Sequence, residues 1–351
     1  MQKKTTLIGA AAAAVTLAVA TGCGGSSNTS TDSVAGAQTT QSTTLVGAGS
    51  SLVAPLVGQW QSPYSAAKGV TVAYSAIGSG GGIEQITART VDIGASDAPL
   101  TPDQGEACKE CVQVPWALAA TTVSYNLPGL ARPLRLTGPV IADMYLGTIS
   151  TWNDPRIAHL NPGLTLPSTP VHVVYRSDSS GDTYAFTNFL SRVSPAWKSK
   201  VGAGTAVSWP TGSGAAKNSG MVAVVQSTKG AVGYVAIGNA VGAKLTYADV
   251  QNRAGAFVKP STATIAAAAQ TAHFQSDNSA SIVDPPASAK AAYPISTFTY
   301  AIVPRSAPKL STIKPFLVYA VTAGQKYAPA LEFAPLPKNV VAKDKSIING
   351  L

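Results

Sequence analysis

The chain has 351 residues, 45% of them hydrophobic and 12% charged, which is enough apolar material for more than one sizeable core. Its 32 glycines and 24 prolines are too few for a low-complexity chain, so disorder throughout is excluded. Lysine and arginine outnumber aspartate and glutamate by 25 to 16, and the formal +9 suits nucleic acid, anionic lipid or a small anion without choosing among them.

At the start of the chain Lys3 and Lys4 precede an uncharged apolar run over residues 7–20. A run of about 14 residues is short of the roughly 20 that cross a bilayer, and residues 1–22 have the layout of a secretory signal peptide. The run ends Ala20-Thr21-Gly22-Cys23, which resembles a bacterial lipobox, with Cys23 as the first mature residue and the point of lipid attachment; Ala20 departs from the leucine that pattern prefers. Residues 24–44 are rich in Ser, Thr, Gly and Gln, with no aromatic residue and one charge, Asp32, so that with Cys23 they read as a flexible tether over 23–44.

From Leu45 onward short β-rich runs alternate with helical stretches, the pattern of an α/β fold. Strands are expected at 71–75, 91–94, 119–125, 171–175, 231–237 and 295–303, and helices at 52–67, 83–89, 140–146, 182–193, 220–228 and 311–327. The Pro/Gly-rich stretch at 126–139 interrupts this pattern and suggests a domain crossing just before it, with a return near 293–303. Domain I would then be discontinuous, 45–124 plus 295–351, and domain II would span 125–294.

Cys108 and Cys111 form C-x-x-C, and in an exported chain a local disulfide is expected. His159, His172 and His273 are scattered without metal-ligand spacing, so neither a metal nor another cofactor is expected.

Three Gly/Ser clusters each stand before an amphipathic helix: G-A-G-S-S at 47–51, G-S-G-G-G at 78–82 and S-S-G-D-T at 179–183. A helix start exposes unpaired N–H groups and partial positive charge, serine adds a hydroxyl donor, and glycine admits close approach, so three converging starts would make an oxyanion cage. Taken singly, each is also an ordinary helix cap. Arg176 closes an apolar run and could fork onto an oxyanion, held in place by Asp178. Asp97, in G-A-S-D-A-P-L, belongs in an anion site only if the anion brings a proton for it to accept; phosphate retains one near neutral pH and sulfate does not.

At these residues the chain resembles the phosphate-binding receptors of bacterial high-affinity phosphate ABC importers, through G-A-G-S-S-L-V-A-P, I-G-S-G-G-G-I, V-D-I-G-A-S-D-A-P-L, Y-L-G-T-I-S-T-W-N-D-P-R-I-A-H-L-N-P-G and R-S-D-S-S-G-D-T-Y-A-F-T, across nearly all of 45–351. The resemblance implies a two-domain periplasmic-binding-protein fold with two crossover strands and ligand in the cleft between domains. It implies phosphate contacts at Ser51, Leu52 (main chain), Ser79, Asp97, Arg176, Ser180, Gly181 and Asp182. It also implies a monomeric, non-enzymatic receptor, held at the outer face of the cell membrane by the lipid on Cys23, that delivers inorganic phosphate to a membrane permease. Asp182 stands where many members have Thr, and is expected to accept a second ligand proton.

A receptor for arsenate or sulfate on the same fold is the alternative, with a secreted phosphatase further off, since G-x-S-x-G, H-E-x-x-H and G-x-x-x-x-G-K-[ST] are all missing. A nucleic-acid partner is not expected, because the basic residues are dispersed without interleaved aromatics.

Overall fold

The computed structural model describes residues 43–351; the expected signal peptide, Cys23 and the expected tether as far as Ser42 lie outside the described residues, while Thr43 and Thr44, expected in the tether, already belong to a strand paired with residues 70 and 71. The first part runs β1 (Thr43–Gly49), α1 (Ala54–Lys68), β2 (Val70–Ala76), α2 (Ser79–Thr87), β3 (Ile93–Ser96) and α3 (Pro102–Cys108). β1 lies parallel between β2 and β3, so the chain returns through a helix each time, as parallel pairing requires.

β4 (Cys111–Tyr125) follows, buried at every residue after Cys111. Nine of its first ten residues pair antiparallel with β12 (Ser296–Pro304), and from Thr121 it changes partner to β8 (Ala231–Ala236). One strand therefore serves both halves of the sheet. Pro115, which has no N–H to give the ladder, sits where the register slips and Trp116 bulges out.

The second half contributes β5 (Arg135–Leu136), α4 (Gly138–Tyr145), α5 (Pro155–Leu160), β6 (His172–Arg176), α6 (Gly181–Val193), α7 (Pro195–Lys200), β7 (Ser213–Ala215), α8 (Lys217–Ser227) and, after β8, α9 (Ile237–Gly242). Short strands β9 (Thr246–Tyr247), β10 (Asp249–Gln251) and β11 (Phe257–Val258) and helix α10 (Thr262–Ala269) lead towards β12, and α11 (Leu310–Val321) and α12 (Lys338–Asn349) complete the chain. The strand order is β2-β1-β3-β12-β4-β8-β6-β7, with β9 alongside β4 and a separate small sheet β11-β10-β5.

Each half has its own aromatic core. Trp60, Trp116 and Phe316 pack edge to face in the first, and Tyr145, Phe186 and Tyr234 pack together in the second. Cys108 and Cys111 are joined by a disulfide across the turn from α3 to β4. Lys109 and Glu110 hold φ of 38° and 57° in that turn, and Arg89 donates to the carbonyls of Cys108 and Lys109 at 2.7 and 3.0 Å.

Candidate anion-binding site

The three Gly/Ser clusters lie at strand ends that point at one another. Gly49 closes β1 with φ 141°, and a Cβ there would stand 2.0 Å from the Ala95 carbonyl oxygen, so the backbones of β1 and β3 touch only because this residue is glycine. Ser50 follows, fully buried. Its hydroxyl donates to both carboxylate oxygens of Asp97 at 2.6 and 2.7 Å and accepts from the amides of Leu52 and Val53 at 3.1 and 3.2 Å. Ser51 is partly exposed, and its hydroxyl accepts from the Asn218 amide at 3.3 Å.

Ser79 is the first residue of α2. Its hydroxyl accepts from the amides of Asp97 at 3.2 Å and Gly181 at 3.0 Å, and donates to Asp97 Oδ2 at 3.3 Å. The Gly181 amide belongs to α6, so this serine bridges the two halves of the sheet. Ser180 caps α6 by accepting from the Asp182 amide at 3.1 Å. The amides and hydroxyls read from the sequence as anion donors are thus gathered in one place, where they bond to one another.

Arg176 ends β6 and is 4% exposed. Asp178 holds it in a fork, accepting from Nε at 2.7 Å and from Nη2 at 2.5 Å, while Nη1 reaches Asp182 Oδ2 at 3.3 Å. Burial alone would push Asp178 up, but the Arg176 hydrogen bonds and the Lys217 amide hold it below the usual carboxylate range. Asp182 is buried, and Thr121 and Asn218 donate to its two oxygens at 2.7 and 2.8 Å. Burial pushes its carboxyl up against the attraction of Arg176. Asp97 is pushed up to about 7, first by burial and then by the charge of Asp182.

One guanidinium therefore faces three carboxyl groups. An unprotonated anion would meet net repulsion here, whereas an anion carrying O–H groups offers donors that the carboxylates accept. Surface cavities of about 420 Å³ beside Gln113 and about 470 Å³ beside Tyr64 are lined by none of these residues. Among the described residues no group of three or more His, Cys, Asp or Glu is placed to hold a metal.

All of Ser51, Leu52, Ser79, Asp97, Arg176, Ser180, Gly181 and Asp182 fall within this connected cluster. Sequence reading did not single out Ser50, Thr121 and Asn218. The doubled serine at 50–51 and the polar pair Thr121-Thr122 inside an apolar strand were available signals; Asn218 gave none.

A family model described as a PBP superfamily domain matches residues 34–323. The phosphate-binding protein PstS of Xylella fastidiosa is 42% identical over 311 residues, covering 87% of this chain and 85% of its own. The chain belongs to the PstS family of phosphate-binding proteins. PstS 2 of Mycobacterium tuberculosis is 32% identical over 299 residues, covering 81% of this chain and 80% of its own. The crystal structure of a phosphate binding protein from Stenotrophomonas maltophilia superposes with a TM-score of 0.65 at 20% identity, over 87% of this chain and 93% of that one. The PstS chain described here thus has the two-domain periplasmic-binding fold that the resemblance implied, within the α/β class read from its pattern.

Proposed function

We propose that this protein captures inorganic phosphate outside the cytoplasm and hands it to the membrane permease of an ABC importer, with no chemical step. The observation that carries the reading is the meeting of Arg176, held by Asp178, with Asp97 and two buried helix starts from opposite halves of the sheet. The names of the PstS relatives support it.

In this reading domain I comprises 45–124 plus 295–351 and supplies Ser51, the Leu52 amide, Ser79 and Asp97. Domain II comprises 125–294 and supplies Arg176, Ser180, Gly181 and Asp182. A tetrahedral oxyanion accepts from the hydroxyls, amides and guanidinium, and its remaining hydrogens go to Asp97 and Asp182. The closed arrangement is favoured because ligand contacts on both sides form only there. The leader at 1–22 exports the chain, and lipid on Cys23 anchors it; Cys23→Ala should move the mature protein from the membrane fraction to the medium or periplasm.

The deciding experiment is calorimetry of the phosphate-stripped protein. Phosphate should bind, millimolar sulfate should fail to displace it, and Asp97→Asn and Arg176→Ala should each weaken binding about a hundredfold, the first by losing a charged acceptor for the ligand's hydrogen and the second by removing the buried cation that faces the anion. Unchanged affinity in both variants would contradict the assignment, and release of phosphate from a phosphomonoester would return the phosphatase alternative.

A further inference from the structure

The first turn of α8 touches both carboxylates that flank Arg176. The amide of Lys217, a residue held at φ 61°, donates to Asp178 Oδ1 at 2.9 Å. The next residue, Asn218, is 1% exposed. Its amide group has one orientation, since Oδ1 accepts from the Ala236 N–H at 2.8 Å where β8 ends. Nδ2 is therefore the end that faces the site. Its hydrogens go to Asp182 Oδ2 at 2.8 Å and to Ser51 Oγ at 3.3 Å.

We propose that Asn218 is a positioning residue for anion capture, a neutral clamp whose amide spans the cleft and sets Ser51 as a donor and Asp182 as an acceptor. The chemistry follows from counting sites. A hydroxyl has one proton and two lone pairs, so Ser51, by accepting from Asn218, keeps its proton for the ligand. A carboxylate has about four acceptor positions; Asn218 and Arg176 occupy Oδ2, and Thr121 takes one position on Oδ1, which leaves one for a ligand O–H. A neutral amide does this without adding charge: a lysine would pair permanently with the three carboxylates, and an aspartate would add a fourth.

This inference rests on the phosphate reading, and a double-mutant cycle separates the two. Phosphate affinity is measured by calorimetry for the stripped wild type, Asn218→Ala, Asp182→Asn and the double variant, with thermal melts as a check on folding. Loss of Asn218 should weaken phosphate about tenfold in the wild type, the scale of a hydrogen bond to a charged group, and by about threefold or less once Asp182 is neutral. Equal losses in both backgrounds, or no loss in either, would overturn the proposal. Absence of phosphate binding by the wild type would instead overturn the reading beneath it. Should Asn218→Ala fail to fold, the wild type answers by NMR: the Asn218 side-chain amide signal should shift on adding phosphate and stay still on adding sulfate, and a signal indifferent to phosphate would refute the clamp.

Discussion

Asp97 and Asp182 oppose each other electrostatically across the site, and the pH response of the protein should follow from that pair. Burial and the Asp182 charge raise Asp97 to about 7 against the Ser50 and Ser79 hydrogen bonds and the attraction of Arg176. In the proposed role Asp97 accepts a ligand proton best when ionised, so phosphate affinity should decline as pH falls through that value. Asp182→Thr removes the charge that lifts Asp97. Its acid limb should move to lower pH, and it should also lose preference for the more protonated ligand, having one acceptor fewer. Calorimetry from pH 5 to 9 on both proteins tests this, and superposable profiles would refute it. Stability has a definite sign as well. A carboxyl raised in the folded state favours folding most fully below its unfolded value of about 4, and that contribution is lost as pH rises through about 7. The melting temperature of stripped protein should therefore fall between pH 5 and 8, and Asp97→Asn should reduce the slope.

Helix α12 carries a different carboxyl, Asp344, which is fully buried with both oxygens lacking a hydrogen-bond partner. Burial pushes it up to about 8, with Lys343 pulling weakly the other way. The unfolded chain ionises this group near 4 while the fold keeps it neutral, so its cost grows from about pH 4 to 8 and then levels. Asp344→Leu should raise the melting temperature, with a gain that widens over that range and no change in phosphate affinity; scanning calorimetry at pH 5, 7 and 9 reads it. A buried acid at a helix position is invisible to periodicity, and the elements show the same limit elsewhere. The runs at 71–75, 171–175 and 231–237 fall within one or two residues of β2, β6 and β8: β8, buried at every residue, declares itself by its apolar composition, and β2, an edge strand exposed at alternate residues, by its β-branched and aromatic residues. The first part of β4 was hidden by its C-x-x-C turn and by Pro115, which only the bulge opposite Thr299 and Tyr300 makes tolerable. α2 starts at Ser79 rather than near Ile83, so three glycines stand inside a helix that propensity would end there; Gly82 is needed where the backbone of Ala48, Gly49 and Ala95 passes too close for a Cβ, and Gly80 where the Ser179 side chain does. α8 starts at Lys217 rather than near Gly220, which put Asn218 outside the expected helix. The hydroxyls and amides proposed as anion donors were legible because helix starts have a local signature, while Thr121 and Asn218 bond to a partner 61 and 36 residues away.

At the scale of the whole molecule, capture as proposed above depends on how closely the two halves can approach. The Gly80 amide donates to the Ser179 carbonyl at 3.3 Å, and a Cβ on Gly80 would stand 2.4 Å from Ser179 Cβ. On the other side of the site, a Cβ on Gly181 would stand 2.3 Å from Asp97 Cβ. A glycine from each half thus meets a residue of the other with no room for a methyl group. Relieving such a clash by bending within either core would disturb close packing, whereas moving the halves apart leaves each core intact. Gly80→Ala should therefore leave each half folded, since alanine is also the better helix former in α2, and should act as a wedge that disfavours the closed state. Phosphate affinity should fall about a hundredfold, the effect of some 2–3 kcal/mol against closure. Small-angle scattering should show that the variant no longer contracts when phosphate is added. Gly105→Ala, where an added Cβ meets nothing within 4 Å, should behave as wild type in both measurements. A Gly80→Ala protein that contracts and binds normally would mean that the halves do not close on this surface, and the division of the site between them would have to be redrawn.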